Sequence, residues 1–135
     1  MFTLLIVSCE NGTIRKSPSP KVPVITYSVK DHNVSIIKLI STPEKYNGKE
    51  IEVRGFLNLE FEGTAIFLHK EDSEKFLSEN GVWLELSRKF IMKLESSGMN
   101  QKYVRVRGIF DFNNRGHESA YSGGIRNITL IKALN

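Results

Sequence analysis

The chain has few of the residues from which disulfides, metal sites and membrane spans are made. One cysteine and three histidines are present among its 135 residues. A single cysteine excludes an internal disulfide, so the hydrophobic core must hold the folded domain together. A zinc site takes three or four ligands at recognisable spacing, and His32, His69 and His117 have no such partners, so we expect no metal site and no cofactor. No run approaches the roughly 18 apolar residues of a spanning helix.

Concentrated positive charge is also missing. The net charge is +4. Residues 1–33 hold four basic and two acidic residues, and residues 34–135 hold fifteen and thirteen. The only adjacent basic pairs are Arg15–Lys16 and Arg88–Lys89. Because nucleic-acid-binding domains usually carry a clustered basic face, this distribution disfavours nucleic acid as a partner.

The N-terminal residues suggest a route to a membrane. Residues 1–7 are uncharged and mostly apolar, and Ile6-Val7-Ser8-Cys9 resembles a bacterial lipobox, in which the leader is cut before a cysteine that is then acylated. Residues 10–33 are polar at first and contain prolines at positions 18, 20 and 23, a composition that suits a flexible tether. We therefore expect an envelope lipoprotein, at the periplasmic face or outer membrane, with residues 1–9 as a remaining signal segment and Cys9 as the lipid anchor.

This segment departs from an ordinary signal peptide, which begins with basic residues and continues with about 7–15 apolar ones. Residues 1–8 contain no base, and the apolar run is at the lower limit of length. Two interpretations stay open. Either the true start lies upstream, or the match is accidental and the protein is cytoplasmic with one reduced thiol.

Two segments, residues 50–62 and 103–112, alternate apolar and polar side chains. This period of two predicts strands with one buried face and one solvated face. Both contain Val-Arg-Gly, which places Gly55 and Gly108 inside the strands, where glycine usually marks a bend or a barrel corner. We expect the two strands to be neighbours in a small closed barrel. Arg105 and Arg107 would then pair across them with Glu50, Glu52 or Glu60.

The remaining patterns complete a mainly β domain over residues 34–135. In chain order, we predict a helical entry at 34–40 with Asn33 as its cap, a short turn from Thr42-Pro43, strands at 50–62 and 65–68, an inserted helix at 70–80, a strand at 82–86, a helix at 88–94, a strand at 102–112, a loop at 113–124 and a strand at 125–131. A helix between the third and fourth of five strands is the OB-fold arrangement. The sequence therefore predicts a five-stranded OB-like barrel with an N-terminal helical segment.

Three segments of the chain, TPEKYNGKEIEVRGFL, FEGTAIFLHKED and NGVWLEL, resemble a group of small bacterial OB-fold-like proteins. These proteins are largely uncharacterised and are often lipoproteins. The resemblance covers residues 34–131, and its most specific pieces are residues 43–49 and the Gly-His and Tyr-Ser-Gly elements of the last loop. It implies a fold and brings no activity, so no catalytic residue follows from it.

The loop at 113–124 is the first candidate ligand-binding element. It joins the fourth and fifth strands, and in OB-folds this loop and the first hairpin flank the ligand face. Arg115, His117 and Tyr121 in this loop have side chains able to recognise a ligand. The structural alternative is that Tyr121 closes the barrel mouth and His117 bonds the backbone.

Trp83 is the second candidate ligand-binding residue. Val82 and Leu84 share the opposite parity, so Trp83 should face outward together with Phe56. Outward aromatics could stack on bases. They could also pack beneath Phe76 and Leu77 of the inserted helix, which is the interpretation we favour because that helix needs an apolar partner.

The sequence thus predicts a non-enzymatic binding module of the cell envelope, with a protein or small molecule as ligand. The alternative is a cytoplasmic OB-fold module that binds single-stranded nucleic acid through Trp83, Phe56 and arginines. A hydrolase using His117 with Ser119 or Ser122 is a third class. Neither serine lies in a strand-to-helix nucleophile elbow, which disfavours it.

Overall fold

The computed structural model describes residues 33–135. Cys9, the lipobox and the tether up to residue 32 lie outside the described residues. The strands are β1 (Asn33–Val34), β2 (Glu50–Asn58), β3 (Ala65–Phe67), β4 (Gly81–Leu84), β5 (Tyr103–Asp111) and β6 (Gly124–Ala133). The α-helices are α1 (Ile36–Ser41), α2 (Lys70–Glu74) and α3 (Arg88–Ser96), and short 3-10 helices occur at Pro43–Lys45, Ser78–Asn80 and His117–Ser119. Among these, no helix has the length and hydropathy to cross a membrane.

Five strands close into a mixed barrel, and β1 adds a short sixth strand beside β2. The strand order is β1-β2-β3-β4-β6-β5, and pairing of β2 with β5 closes the barrel. The β4–β6 pair is parallel, the other pairs within the barrel are antiparallel, and β1 runs parallel to β2. The helix α3 connects β4 to β5. The predicted mainly β fold, an OB-like five-stranded barrel, is confirmed.

The two mid-strand glycines lie where strands and helix approach closely. Gly55 is paired with Val104, and Gly108 with Ile51, so the two strands are neighbours as expected. A Cβ atom on Gly55 would lie 2.7 Å from the Ile36 side chain, and one on Gly108 would lie 2.6 Å from the Ile125 side chain. The register of β5 against β6 also shifts next to Gly108. Glycine therefore permits close packing at both bends.

The alternation predicted for β5 is observed, but β2 is shorter than expected. The strand ends at Asn58, and a turn follows because the Thr64 hydroxyl donates to the Glu60 carbonyl at 2.6 Å. Phe61, expected on the buried face, is 72% exposed as a result. Phe56, expected on the outer face, is only 3% exposed and packs edge-on against Tyr103, with ring centroids 5.4 Å apart.

Three helix predictions need correction. Helix α1 begins at Ile36 with Ser35 as its cap, because the Lys38 N–H donates to the Ser35 hydroxyl at 3.2 Å, and Asn33 lies in β1 instead. The inserted helix at 70–80 is two short pieces separated by Phe76, whose φ of 56° interrupts a right-handed helix. Helix α3, with its cap at Ser87, is longer than predicted by two residues at its C-terminal end.

The predicted cross-strand ion pairs converge on one carboxylate. Glu52 is 5% exposed, and its oxygens lie 2.6 Å from Arg107 Nη2 and 3.4 Å from Arg105 Nη1. Burial by itself would raise the pKa of Glu52. The hydrogen bond from Arg107 and the two guanidinium charges outweigh burial and hold the pKa below its usual value. Glu52 thus neutralises one of these two guanidinium charges, and both guanidinium groups are directed to the same carboxylate.

Candidate functional site

An open cleft lies between the β2–β3 turn, residues 59–64, and the β5–β6 loop, residues 112–123. Its volume is about 440 Å³. The carboxylate-bearing residues that line it are Glu60, Glu62 and Glu118, and they are joined by Phe61, His117 and Tyr121. We call this site the acidic cleft. Its two walls are far apart in the sequence, and barrel closure brings them together.

The β5–β6 loop is shaped by hydrogen bonds at its base. Arg115 Nε donates to the Tyr121 carbonyl at 2.7 Å, and the Tyr121 N–H donates back to the Arg115 carbonyl at 3.1 Å. The Ser122 hydroxyl donates to the Glu79 carbonyl at 2.5 Å, which ties the loop to the segment before β4. Arg115, predicted as a ligand-binding residue, therefore has a structural role in closing this loop and does not line the acidic cleft.

Backbone strain is concentrated in the same loop. Glu118 and Ser119 have φ values of 53° and 55°, which residues with a side chain seldom adopt. Gly116 has φ 65° and ψ −157°, a combination that is almost restricted to glycine. Such strain persists only where surrounding contacts fix the backbone, and it is common at binding sites. Here it places Glu118 at the edge of the acidic cleft.

Tyr121 forms the floor of the acidic cleft. It is 6% exposed, and its ring lies 6.3 Å from the Phe67 ring and 5.5 Å from the Trp83 ring, centroid to centroid. Burial raises the pKa of the Tyr121 hydroxyl and outweighs the hydrogen bond with Ser78, which lowers it; the charge of Glu60 adds a smaller raising effect. The hydroxyl is therefore neutral near pH 7 and can act as a hydrogen-bond donor or acceptor.

Trp83 is covered by the β5–β6 loop rather than by the inserted helix. A Cβ atom on Gly116 would lie 2.5 Å from the Trp83 ring, so the loop backbone rests directly on the indole. Phe76 is 81% exposed and Leu77 is 39% exposed. The expectation that these two residues cover Trp83 was wrong, because α2 ends at Glu74 and the left-handed turn at Phe76 directs its ring to solvent. Trp83 supports the cleft floor through Tyr121.

Negative charge dominates the acidic cleft. His117 Nε2 lies 3.7 Å from Glu62 Oε2 and 3.8 Å from Glu118 Oε1, contacts that are ionic only when the imidazole is protonated. A cation at the edge of the cleft is Arg88, whose guanidinium carbon lies 5.3 Å from the centre of the Phe61 ring. One face of Phe61 is thus occupied by Arg88, while the ring as a whole remains 72% exposed.

The sequence-predicted residues divide into those that line the acidic cleft and those that support it. His117 and Tyr121 line it, whereas Arg115 and Trp83 hold its loop and floor. Sequence reasoning missed Glu60, Phe61 and Glu62 as site residues. The one local signal was Gly63, because glycine favours turns, but the alternation of residues 59–62 favoured a continuing strand up to that glycine.

Metal binding has no matching geometry in the described part of the chain. Between residues 33 and 135, no three side chains of His, Cys, Asp or Glu are grouped so that they could hold a metal ion. The His117 imidazole contacts carboxylates, and the Ser122 hydroxyl donates a hydrogen bond to the Glu79 carbonyl.

Comparison with family models, with curated proteins and with solved structures gives no match.

Proposed function

We propose that this protein is a non-enzymatic binding module whose acidic cleft takes a cationic ligand, either a basic segment of a partner protein or a small cation. The observation that carries this proposal is the set of three carboxylates, Glu60, Glu62 and Glu118, around one open cleft. The cleft lies between the first hairpin turn and the last loop of the barrel, the position at which OB-folds bind ligands. The exposed Phe61 ring adds a surface for cation–π contact.

The charge of the acidic cleft also disfavours the alternative ligand, single-stranded nucleic acid. Three carboxylates repel phosphates at short range, and the repulsion is largest where water is partly excluded. Base stacking needs exposed aromatic faces. Phe56 is 3% exposed, and the Gly116 backbone rests on Trp83, so neither residue offers an open face. Arg105 and Arg107 are paired with Glu52.

Envelope location belongs to the same proposal and rests on the lipobox at Cys9 and on the tether after it. A domain that is connected to its anchor by a tether can bind an extended segment of another protein with its cleft open to solvent. The acidic cleft satisfies this requirement because its walls are loops on the barrel surface rather than an enclosed cavity.

The experiment uses Trp83, the only tryptophan of the chain, as the reporter. Its ring lies 5.5 Å from that of Tyr121, so a ligand on the cleft floor should alter its fluorescence. We expect oligolysine to bind and an oligonucleotide or oligoglutamate not to bind. Substituting Glu60, Glu62 and Glu118 together with glutamine should weaken oligolysine binding by about tenfold, since each exposed ion pair contributes a fraction of a kcal/mol.

The matched control removes the same charge elsewhere. Glu44, Glu71 and Glu95 are exposed and lie outside the acidic cleft, and their triple glutamine variant should bind oligolysine as the wild type does. Equal weakening in both variants would mean that net charge alone governs binding, and the cleft would not be the site. Oligonucleotide binding that weakens on Trp83→Ala would favour the nucleic-acid alternative.

A further inference from the structure

A second surface, on the outer side of α3, combines exposed apolar side chains with lysines. Its residues are Lys89, Phe90, Met92 and Lys93, and we call it the α3 surface. Met92 is 60% exposed and Phe90 is 36% exposed. Lys89, Phe90 and Lys93, with Ser87, line an open hollow of about 480 Å³. Large apolar side chains that remain in water between cations are typical of surfaces that meet a second phase or partner.

The α3 surface lies on the side of the helix away from the barrel core and adjoins the acidic cleft only along one edge, where Met92 is one turn after Arg88. Leu94 and Ile91 face the barrel core, which fixes the rotation of α3. Arg88 lies on the edge next to the cleft, where its guanidinium covers Phe61. Lys89 and Lys93 are one helical turn apart and so lie on a common side, with Phe90 on the flank away from Arg88 and Met92 on the flank next to Arg88.

We propose that the α3 surface docks on an anionic lipid bilayer. Lysines close to a membrane are attracted by acidic headgroups, while methionine and phenylalanine side chains enter the boundary between headgroups and acyl chains. Lysine stems can lie along apolar surface and keep the ammonium group at headgroup level. The only acidic residue of α3 is Glu95, so the helix presents a net positive charge to the bilayer.

A bilayer fits the α3 surface better than a nucleic acid does. Two lysines provide few phosphate contacts, and affinity for nucleic acid grows with the number of phosphates that are neutralised. The most exposed apolar group is Met92, which has no aromatic face on which a base can stack. The same side chain suits the irregular apolar boundary of a membrane, because methionine is flexible and polarisable.

The test is co-flotation of the full chain carrying Cys9→Ser, so that no lipid anchor contributes to binding. The probes are vesicles of phosphatidylcholine alone and of phosphatidylcholine with phosphatidylglycerol in equal parts. We expect binding only to the vesicles with phosphatidylglycerol. Substituting Lys89 and Lys93 together with glutamine should lower the partition coefficient by about thirtyfold, from the attraction of each lysine to an anionic surface. Met92→Ser should lower it at constant charge.

The matched control is the pair Lys45→Gln and Lys49→Gln, two exposed lysines before β2 that remove the same charge. This variant should bind anionic vesicles as the Cys9→Ser chain does. Absence of binding to anionic vesicles would overturn the proposal, as would equal losses in the two lysine variants. Preferential binding of an oligonucleotide that depends on Lys89 and Lys93 would also overturn it, by assigning the α3 surface to nucleic acid.

Discussion

The contact between Gly116 and Trp83 gives the sharpest prediction about how the acidic cleft is built. Gly116→Ala introduces a Cβ atom 2.5 Å from one atom of the Trp83 ring and 2.6 Å from another, distances that force the loop or the indole to move. The substitution also places a side chain at φ 65° and ψ −157°, where alanine is strained. Both effects act on the loop that carries His117 and Glu118.

The expected loss of stability is about 3 kcal/mol. Backbone strain of this kind costs about 1–3 kcal/mol, and insertion of a methyl group into a filled space costs about 1–3 kcal/mol. The sum is reduced because an exposed loop can shift and relieve part of both. For a domain of this size, about 3 kcal/mol corresponds to a fall in melting temperature of about 12 °C.

Two other glycines measure the cost of a positive φ without any steric contact. Gly48 and Gly98 have φ values of 73° and 72°, and a Cβ atom on either would meet no atom within 4 Å. Alanine at these positions should cost only the left-handed backbone, about 1 kcal/mol. The additional loss in Gly116→Ala then combines the greater backbone strain at φ 65° and ψ −157° with the contact against Trp83.

The assay is urea unfolding followed by circular dichroism and by the fluorescence of Trp83. A second background, Trp83→Val, makes room for the new methyl group, so Gly116→Ala should cost less there than in the wild-type background, and the difference is the cost of contact with the indole. If Gly116→Ala is no more destabilising than the two control glycines in the wild-type background, the loop does not rest on the indole. A cost that is unchanged by Trp83→Val would refute the same reasoning.

Three further predictions concern other parts of the chain. Glu52→Gln should destabilise the domain by about 1–3 kcal/mol near pH 7, because two arginines lose a buried charged partner. Since the folded pKa of Glu52 is lowered, its contribution to stability is present above the unfolded pKa of about 4.3 and is lost as pH falls through the folded pKa. Urea titrations of the variant and the wild type should therefore converge in acid, whereas Glu44→Gln should match the wild type throughout. Phe76→Asn should raise the free energy of unfolding by about 0.5–1 kcal/mol, because asparagine tolerates φ 56° better than phenylalanine does and the Phe76 ring is 81% exposed. A loss of stability in this variant would instead show that the ring has a packing role. Cys9→Ser should abolish metabolic lipid labelling and release the protein from membranes, and a wild-type protein that fractionates as soluble with Cys9 intact would contradict the lipobox interpretation.

Much of the fold follows from local patterns in the sequence. The alternation in β5, the glycines at the two bends and the helix before β5 all depend on residues close together in the chain, where strand and helix periods act directly. The sequence also predicted that Arg105 and Arg107 pair with a glutamate of the neighbouring strand, because two long bent strands of one small barrel lie side by side. Even so, the sequence left Glu50, Glu52 and Glu60 as equal candidates, and only the register selected Glu52.

The acidic cleft, in contrast, was decided by tertiary structure. The turn that ends β2 after Asn58 depends on hydrogen bonding around Thr64, and it moves Phe61 from the expected core to solvent. Alternation continues through this segment and gives no sign of the turn, so the period of two predicted a longer strand.

The roles of the β5–β6 loop residues also required the folded chain. Arg115 and Tyr121 lie in the predicted binding loop, yet one closes the loop through a backbone carbonyl and the other fills the space between the loop and the barrel wall. The sequence determined which side chains the loop contains. Barrel closure determined that Glu118 meets Glu60 and Glu62 across the cleft, because contacts between distant segments depend on strand register and leave no periodic signal in either segment.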